Sequence, residues 1–292
     1  MPSARHLFRQ TMAPALSVLA IVAALLSNMS PARGLITGMV TAGAPDIDKN
    51  GTLAPDAYRA RVLEQFRKDA MVAAARGVQL LVYPEFAFVS PTWSAACKTP
   101  SHAITDWCPS FPRDTACGLG NGTATFATAL ACAARDANMT LSFNVCEGDG
   151  VSNWNSQAVF LPDGTMKAIY RKTHPYMKKC YAAPAEPDLV YFTSKQYLPL
   201  PEEAPTVGIF TCKDILYKHP SIDLYAQGVR VFIYSSKIPL VGRLAKDIWT
   251  KTHPGAYLIA SDAANNQSGV FINGSRLSFE SSANGRVVVT EI

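Results

Sequence analysis

The chain has 292 residues, 48% of them hydrophobic and 17% charged, with a formal net charge of +5. That length and apolar content suit one large α/β core and exclude a disordered or low-complexity chain. The mild positive charge, with Lys178-Lys179 as a short basic pair, lacks the concentrated basic face of a nucleic-acid binder, so no nucleic-acid partner is expected.

At the N-terminus, Arg5 and Arg9 precede an apolar stretch from Ala13 to Leu26, followed by Ser30-Pro31-Ala32 and Ala32-Arg33-Gly34. A charged start, an apolar run too short for a membrane span and an A-x-A-like site predict a signal peptide over residues 1–34. The mature chain, 35–292, is then expected to be secreted without a membrane anchor, because Val287–Ile292 lacks the spacer and long hydrophobic tail of an anchor signal. Sequons at Asn50, Asn121, Asn138, Asn266 and Asn273 agree with export as candidate glycan acceptors. So do seven cysteines, an odd count that predicts three bridges and one free thiol.

Leu35 to Val40 reads as a strand, and Pro55 to Arg76, with Tyr58, Val62, Phe66 and Ala70 at helical spacing, as a helix stopped by Gly77. Val78 to Tyr83 is the apolar run of a buried strand. From Phe88 to Gly122, Cys, Pro, Trp and Ser recur without period and predict a long irregular insertion. Thr123 to Arg135 returns to helix. Met139 to Val145, Ala158 to Leu161 and Met166 to Arg171 follow as strands, the last two joined by the Pro162-Asp163-Gly164 turn. Thr206 to Thr211 is a strand, Asp214 to Gln227 a helix and Val229 to Tyr234 a strand, before Tyr257 to Ser261, Gly269 to Ile272 and Val287 to Thr290. Without repeats or linkers, this alternation predicts one α/β domain.

Three polar residues stand just past apolar strands: Glu85, Lys172 and Cys212. Ligand sites in α/β sheets gather at such strand ends. A thiol of ordinary pKa, about 8.5, needs a base to act as a nucleophile at neutral pH, and a carboxylate in a water-poor cleft can serve. An ammonium and a backbone N–H can stabilise the oxyanion formed when sulfur attacks an amide carbonyl. Taken singly, each residue also fits a structural role, as a solvated carboxylate, a surface charge or a small buried thiol. Cys212, His219 and Asp214 or Asp223 supply the residue types of a cysteine protease but lack its local signature. His102, His174 and His253 have no metal-ligand spacing, so neither metal nor cofactor is expected.

Val82-Tyr83-Pro84-Glu85, Tyr170-Arg171-Lys172 and Gly208-Ile209-Phe210-Thr211-Cys212-Lys213-Asp214-Ile215-Leu216 resemble the three signatures of the nitrilase (carbon–nitrogen hydrolase) superfamily. The last is close to the corresponding run of its vanin and biotinidase branch. The likeness covers residues 35–292, including Gln157–Phe160, Glu186-Pro187 and Ser268-Gly269-Val270. It implies an αββα sandwich in a single domain, with Glu85 as general base, Lys172 as oxyanion stabiliser and Cys212 as nucleophile. The implied activity is that of a secreted amidase working through a thioester on a small-molecule amide, pantetheine or a biotinyl amide.

The chain departs from the family pattern at Lys213, Lys237 and Met177-Lys178-Lys179, where a second glutamate is often found. Lys213 and Lys237 are candidates for a positively charged substrate mouth. The same departures motivate an alternative, an inactive secreted glycoprotein that keeps the fold for binding. The further C-terminal domain of vanins is expected to be missing from so short a chain. As nucleophile, Cys212 is expected to be the free thiol, with a lowered pKa. The remaining cysteines are expected to pair as Cys97–Cys108 and Cys117–Cys132, each closing a short loop, which leaves Cys146–Cys180.

Overall fold

Two β-sheets stack face to face, and the alternation of side chains along each strand decides which residues fill the space between them. The computed structural model describes residues 34–41, 47–48, 52–89, 107–118, 125–239, 241–264 and 267–292. The expected signal segment ahead of Gly34 and the sequons at Asn50, Asn121 and Asn266 lie outside the described residues. Asn138 and Asn273 lie within them, each exposed at a left-handed turn position with φ of 47° and 51°.

The first sheet contains β1 (Ile36–Val40), β2 (Leu80–Val82), β3 (Thr140–Gly148), β4 (Asn153–Phe160), β5 (Met166–Arg171), β12 (Glu280–Ser281) and β13 (Val287–Glu291). Their spatial order is β12-β13-β1-β2-β3-β4-β5, with β1, β2 and β3 parallel. The second contains β6 (Tyr191–Thr193), β7 (Thr206–Thr211), β8 (Val231–Ser236), β9 (Tyr257–Asp262), β10 (Gly269–Ile272) and β11 (Ser275–Arg276), ordered β11-β10-β9-β8-β7-β6 with β7, β8 and β9 parallel.

Helices α1 (Pro55–Ala74) and α2 (Phe126–Asp136) cover the outer face of the first sheet, where Val62, Phe66 and Leu130 pack with Leu81, Leu141 and Phe143. The opposite faces of the same strands send Met39, Leu80, Val82 and Val159 into the core shared with Val207, Ile209, Ile233 and Ile259. Helix α4 (Gly242–Thr252), which follows the single-turn α3 (Asp223–Ala226), covers the second sheet with Trp249 against Phe210 and Phe232. The expected αββα sandwich is therefore the observed one. Two serines tie its sheets together: Ser235 Oγ donates to the Tyr83 carbonyl and Ser261 Oγ to the Val40 carbonyl, both at 2.7 Å.

Two expectations give way. The segment read as one helix from Asp214 to Gln227 is a 3₁₀ turn (Cys212–Leu216), a wide turn (Lys218–Ile222) and α3. Pro220, with no N–H to donate, sits in its middle, and His219 has an extended ψ of 130°. Cys108 bonds to Cys146, not to Cys97, with a Cα separation of 4.6 Å, which also rules out Cys146–Cys180. The reason is spatial: the insertion folds back along the end of β3, where the Gly148 N–H donates to the Pro109 carbonyl at 3.1 Å. Cys97 lies outside the described residues. Cys117–Cys132 forms as expected, with Cα atoms 4.7 Å apart, while Cys180 belongs to a further bridge and Cys212 is free. Non-reducing peptide mapping should return Cys108–Cys146 and Cys117–Cys132 as linked peptides; recovery of a Cys97–Cys108 peptide would contradict this arrangement.

Candidate active site

Glu85, Lys172 and Cys212 come from three strand ends and meet in one buried cluster. Glu85 lies just beyond β2, Lys172 directly follows β5 and Cys212 directly follows β7. Lys172 Nζ is 2.5 Å from Glu85 Oε1, and neither side chain is more than 1% exposed. The same Glu85 oxygen accepts Asn155 Nδ2 at 2.8 Å, and the Glu85 carboxylate lies beside the Cys212 thiol. Asn155 is fixed in turn by Asn144 Nδ2 at 2.7 Å, and Asn144 Oδ1 accepts the Phe86 N–H at 2.8 Å. The carboxylate is thus held from its backbone and from its oxygens.

Cys212 has φ of 50°, a left-handed conformation that costs a non-glycine residue energy unless its surroundings enforce it. Here they do. Tyr234 Oη donates to the Cys212 carbonyl at 2.9 Å. Asp214, fully buried, closes the turn by accepting the Thr211 N–H at 3.2 Å, and reaches across to the segment around Lys172 by accepting Tyr170 Oη at 2.8 Å and the His174 N–H at 2.9 Å. One carboxylate therefore joins the turn bearing the thiol to the strand bearing the lysine.

Burial opposes the charge on Lys172, but Glu85 first, and then Cys212 and Asp214, hold its ammonium well above the ordinary lysine value. Burial, and then the charge of Glu85, push the Cys212 thiol well up, against the opposing pull of Lys172 and of the Lys237 N–H. The expected low-pKa thiol is therefore corrected: at rest the sulfur keeps its proton, in contact with a carboxylate able to receive it.

The other singled-out residues separate. Lys237 brings its backbone N–H to the sulfur while its side chain is exposed. Lys213, half-buried, places its ammonium 5.7 Å from the Tyr217 ring centroid, and Tyr217 stacks on His174 at 3.8 Å. His219 contacts Asp223 at 3.2 Å, and the partner given to the thiol in its place is Glu85. Among the described residues there is no cluster of metal-ligating side chains. Sequence reading missed Asn144, Asn155 and Tyr234 and gave Asp214 only a protease role. Asn144 and Asn155 did leave a trace, as amides placed in strands of otherwise buried residues.

A family model described as "Carbon-nitrogen hydrolase" matches residues 29–274. Biotinidase of Takifugu rubripes is 28% identical over 229 residues, which are 70% of this chain and 43% of that protein. Human biotinidase is 29% identical over 178 residues, 55% of this chain and 31% of that one, and Vanin-like protein 3 of Drosophila melanogaster 29% over 136 residues, 40% and 25% respectively. The chain spans less than half the length of these relatives. An amidase from Nesterenkonia sp. superposes with a TM-score of 0.63 at 15% identity, covering 90% of this chain and 92% of that one, a likeness of fold. With the family model spanning most of its length, this chain belongs to the carbon–nitrogen hydrolase family.

Proposed function

We propose that the chain hydrolyses a non-peptide amide through a thioester on Cys212. The observation that carries this reading is a buried thiol, the free one among the described residues, set beside the Glu85 carboxylate, which is paired with the buried Lys172 ammonium. Glu85 takes the thiol proton as sulfur attacks the amide carbon, and Lys172 faces the oxyanion. Collapse breaks the C–N bond, and the amine leaves with the proton held by Glu85. Glu85 then deprotonates a water that attacks the thioester, which releases the acid and returns a proton to sulfur. Because the resting thiol is protonated, proton transfer accompanies attack.

The curated relatives named biotinidase favour a biotinyl amide, with a pantetheinyl amide as second candidate. A mutant of the Nesterenkonia amidase carries the acetamide moiety of fluoroacetamide on its active-site cysteine. A panel of biotinyl, pantetheinyl and short aliphatic amides, read by amine release, tests the reading. Release from one class and none from the Cys212→Ala chain supports it; no release from any member with Cys212 intact favours the inactive, binding-only alternative.

The same reading places the mature chain outside the cell, in keeping with its disulfides. Expressed with a secretory pathway, the protein should begin near Arg33 to Leu35 and lose mass on treatment with an N-glycosidase. An intact Met1 with no mass change would remove export from the proposal.

A further inference from the structure

Helix α4 turns a lysine inward. Lys246 Nζ lies 2.6 Å from Asp262 Oδ2 with both side chains fully buried, while Leu244 and Ile248 of the same helix are 57% and 53% exposed. A buried ion pair is a poor source of stability compared with apolar residues of the same volume, so its placement calls for another explanation. Asp262 ends β9 in register with Ser236 at the end of β8. Its Oδ2 accepts Ser236 Oγ at 2.7 Å, and its Oδ1 accepts the N–H of Ile238 at 3.3 Å and of Ala264 at 2.9 Å. One carboxylate thus grips the residues on both sides of Lys237, which follows the Ser235 paired with Thr211 and so turns its N–H toward the Cys212 sulfur.

Lys246 completes the grip. Its ammonium also donates to the Gln267 carbonyl at 3.3 Å, and Gln267 Nε2 donates to the carbonyls of Ile238 and Pro239 at 3.2 and 3.3 Å. The start of α4 is pressed onto the same group: a Cβ on Gly242 would stand 2.4 Å from Gln267 Oε1 and 3.1 Å from Asp262 Oδ2.

We propose that the buried Lys246–Asp262 pair, with Gln267, is a positioning device that holds the Ser236–Pro239 turn so that the Lys237 N–H stays aimed at the Cys212 sulfur. The proposal rests on the thiol chemistry given above. As the proton passes to Glu85, negative charge grows on sulfur, and a donor already fixed toward it needs no reorganisation at that moment. A grip through buried charges supplies several directed bonds from two side chains, which an apolar pair cannot do.

The test uses the double variant Lys246→Met/Asp262→Asn, which removes both charges together, and Ser236→Ala, which removes one bond without changing charge. Each is compared with the parent by steady-state kinetics on the amide it hydrolyses best and by the rate of Cys212 alkylation with iodoacetamide. Loss of positioning lowers kcat about ten-fold in the double variant with KM within about two-fold, and slows alkylation several-fold; Ser236→Ala shows the same changes to a smaller degree. A merely structural role predicts the opposite sign for alkylation, because a loosened site exposes a buried thiol and speeds its reaction. Alkylation that is unchanged or faster in folded protein overturns the proposal. Should the double variant fail to fold, Ser236→Ala decides by the same rates. If the parent hydrolyses no amide, the functional reading fails, and the alkylation rates still decide the grip.

Discussion

Cys212→Ala should abolish amide release, by about 10⁴-fold or more, while the protein keeps its circular dichroism and elutes as the parent does. Removing a nucleophile leaves only binding and electrostatic stabilisation, and groups acting as a unit lose most of their joint effect when one goes. Folding survives because the change removes one sulfur from a site whose carbonyl bond to Tyr234 and turn closure by Asp214 do not involve the side chain. The check is a paired measurement of turnover and of the thermal transition. Release at more than a hundredth of the parent rate would remove Cys212 from the role of nucleophile.

Lys172→Met is expected to be costly in two separable ways. It strands the Glu85 carboxylate, 1% exposed, without its cation, and breaking one half of a buried ion pair typically costs about 3–5 kcal/mol. For a domain of this size that lowers Tm by about 10 °C. It also removes the ammonium proposed to face the oxyanion, a loss of about 10²–10³ in kcat. The double variant Lys172→Met/Glu85→Gln, with no charge left to strand, should recover most of the lost Tm and none of the lost turnover. Recovery of both, or of neither, would show that the pair's electrostatic and chemical roles have been wrongly divided. The sign with pH follows from the raised lysine value: stability from this pair is fully present below the ordinary lysine pKa and is lost progressively as pH rises from there through the higher folded-state value.

The parts of the fold that could be read from sequence are those in which local pattern and tertiary environment agree. Val78 to Tyr83 and Thr206 to Thr211 are apolar because they are covered on both faces, and the first polar groups beyond them mark the end of the sheet where Glu85 and Cys212 stand. Helix α4 escaped because its pattern is inverted, with Leu244 and Ile248 in solvent and Lys246 in the interior, so its apolar periodicity does not point at the core. The helix expected from Asp214 to Gln227 failed for local reasons, a left-handed Cys212 at its start and Pro220 within it. Cys108–Cys146 was illegible because loop length is a property of the chain, whereas a bridge depends on where a folded insertion comes to rest. The thiol's raised pKa went unread for a similar reason, since it depends on the depth of burial and on a carboxylate 127 positions away in sequence, drawn close only by the meeting of two sheets.

The left-handed backbone at Cys212 has a consequence for how such a protein can change over generations. A cysteine there holds a conformation that glycine adopts without strain, at a cost of about 1 kcal/mol. While the thiol is in use, selection for turnover keeps the costlier residue in place. In a lineage that stops using it, the same position becomes a one-step gain in robustness, so drift toward glycine at residue 212 would be the sign of a descendant that kept the scaffold after giving up the reaction.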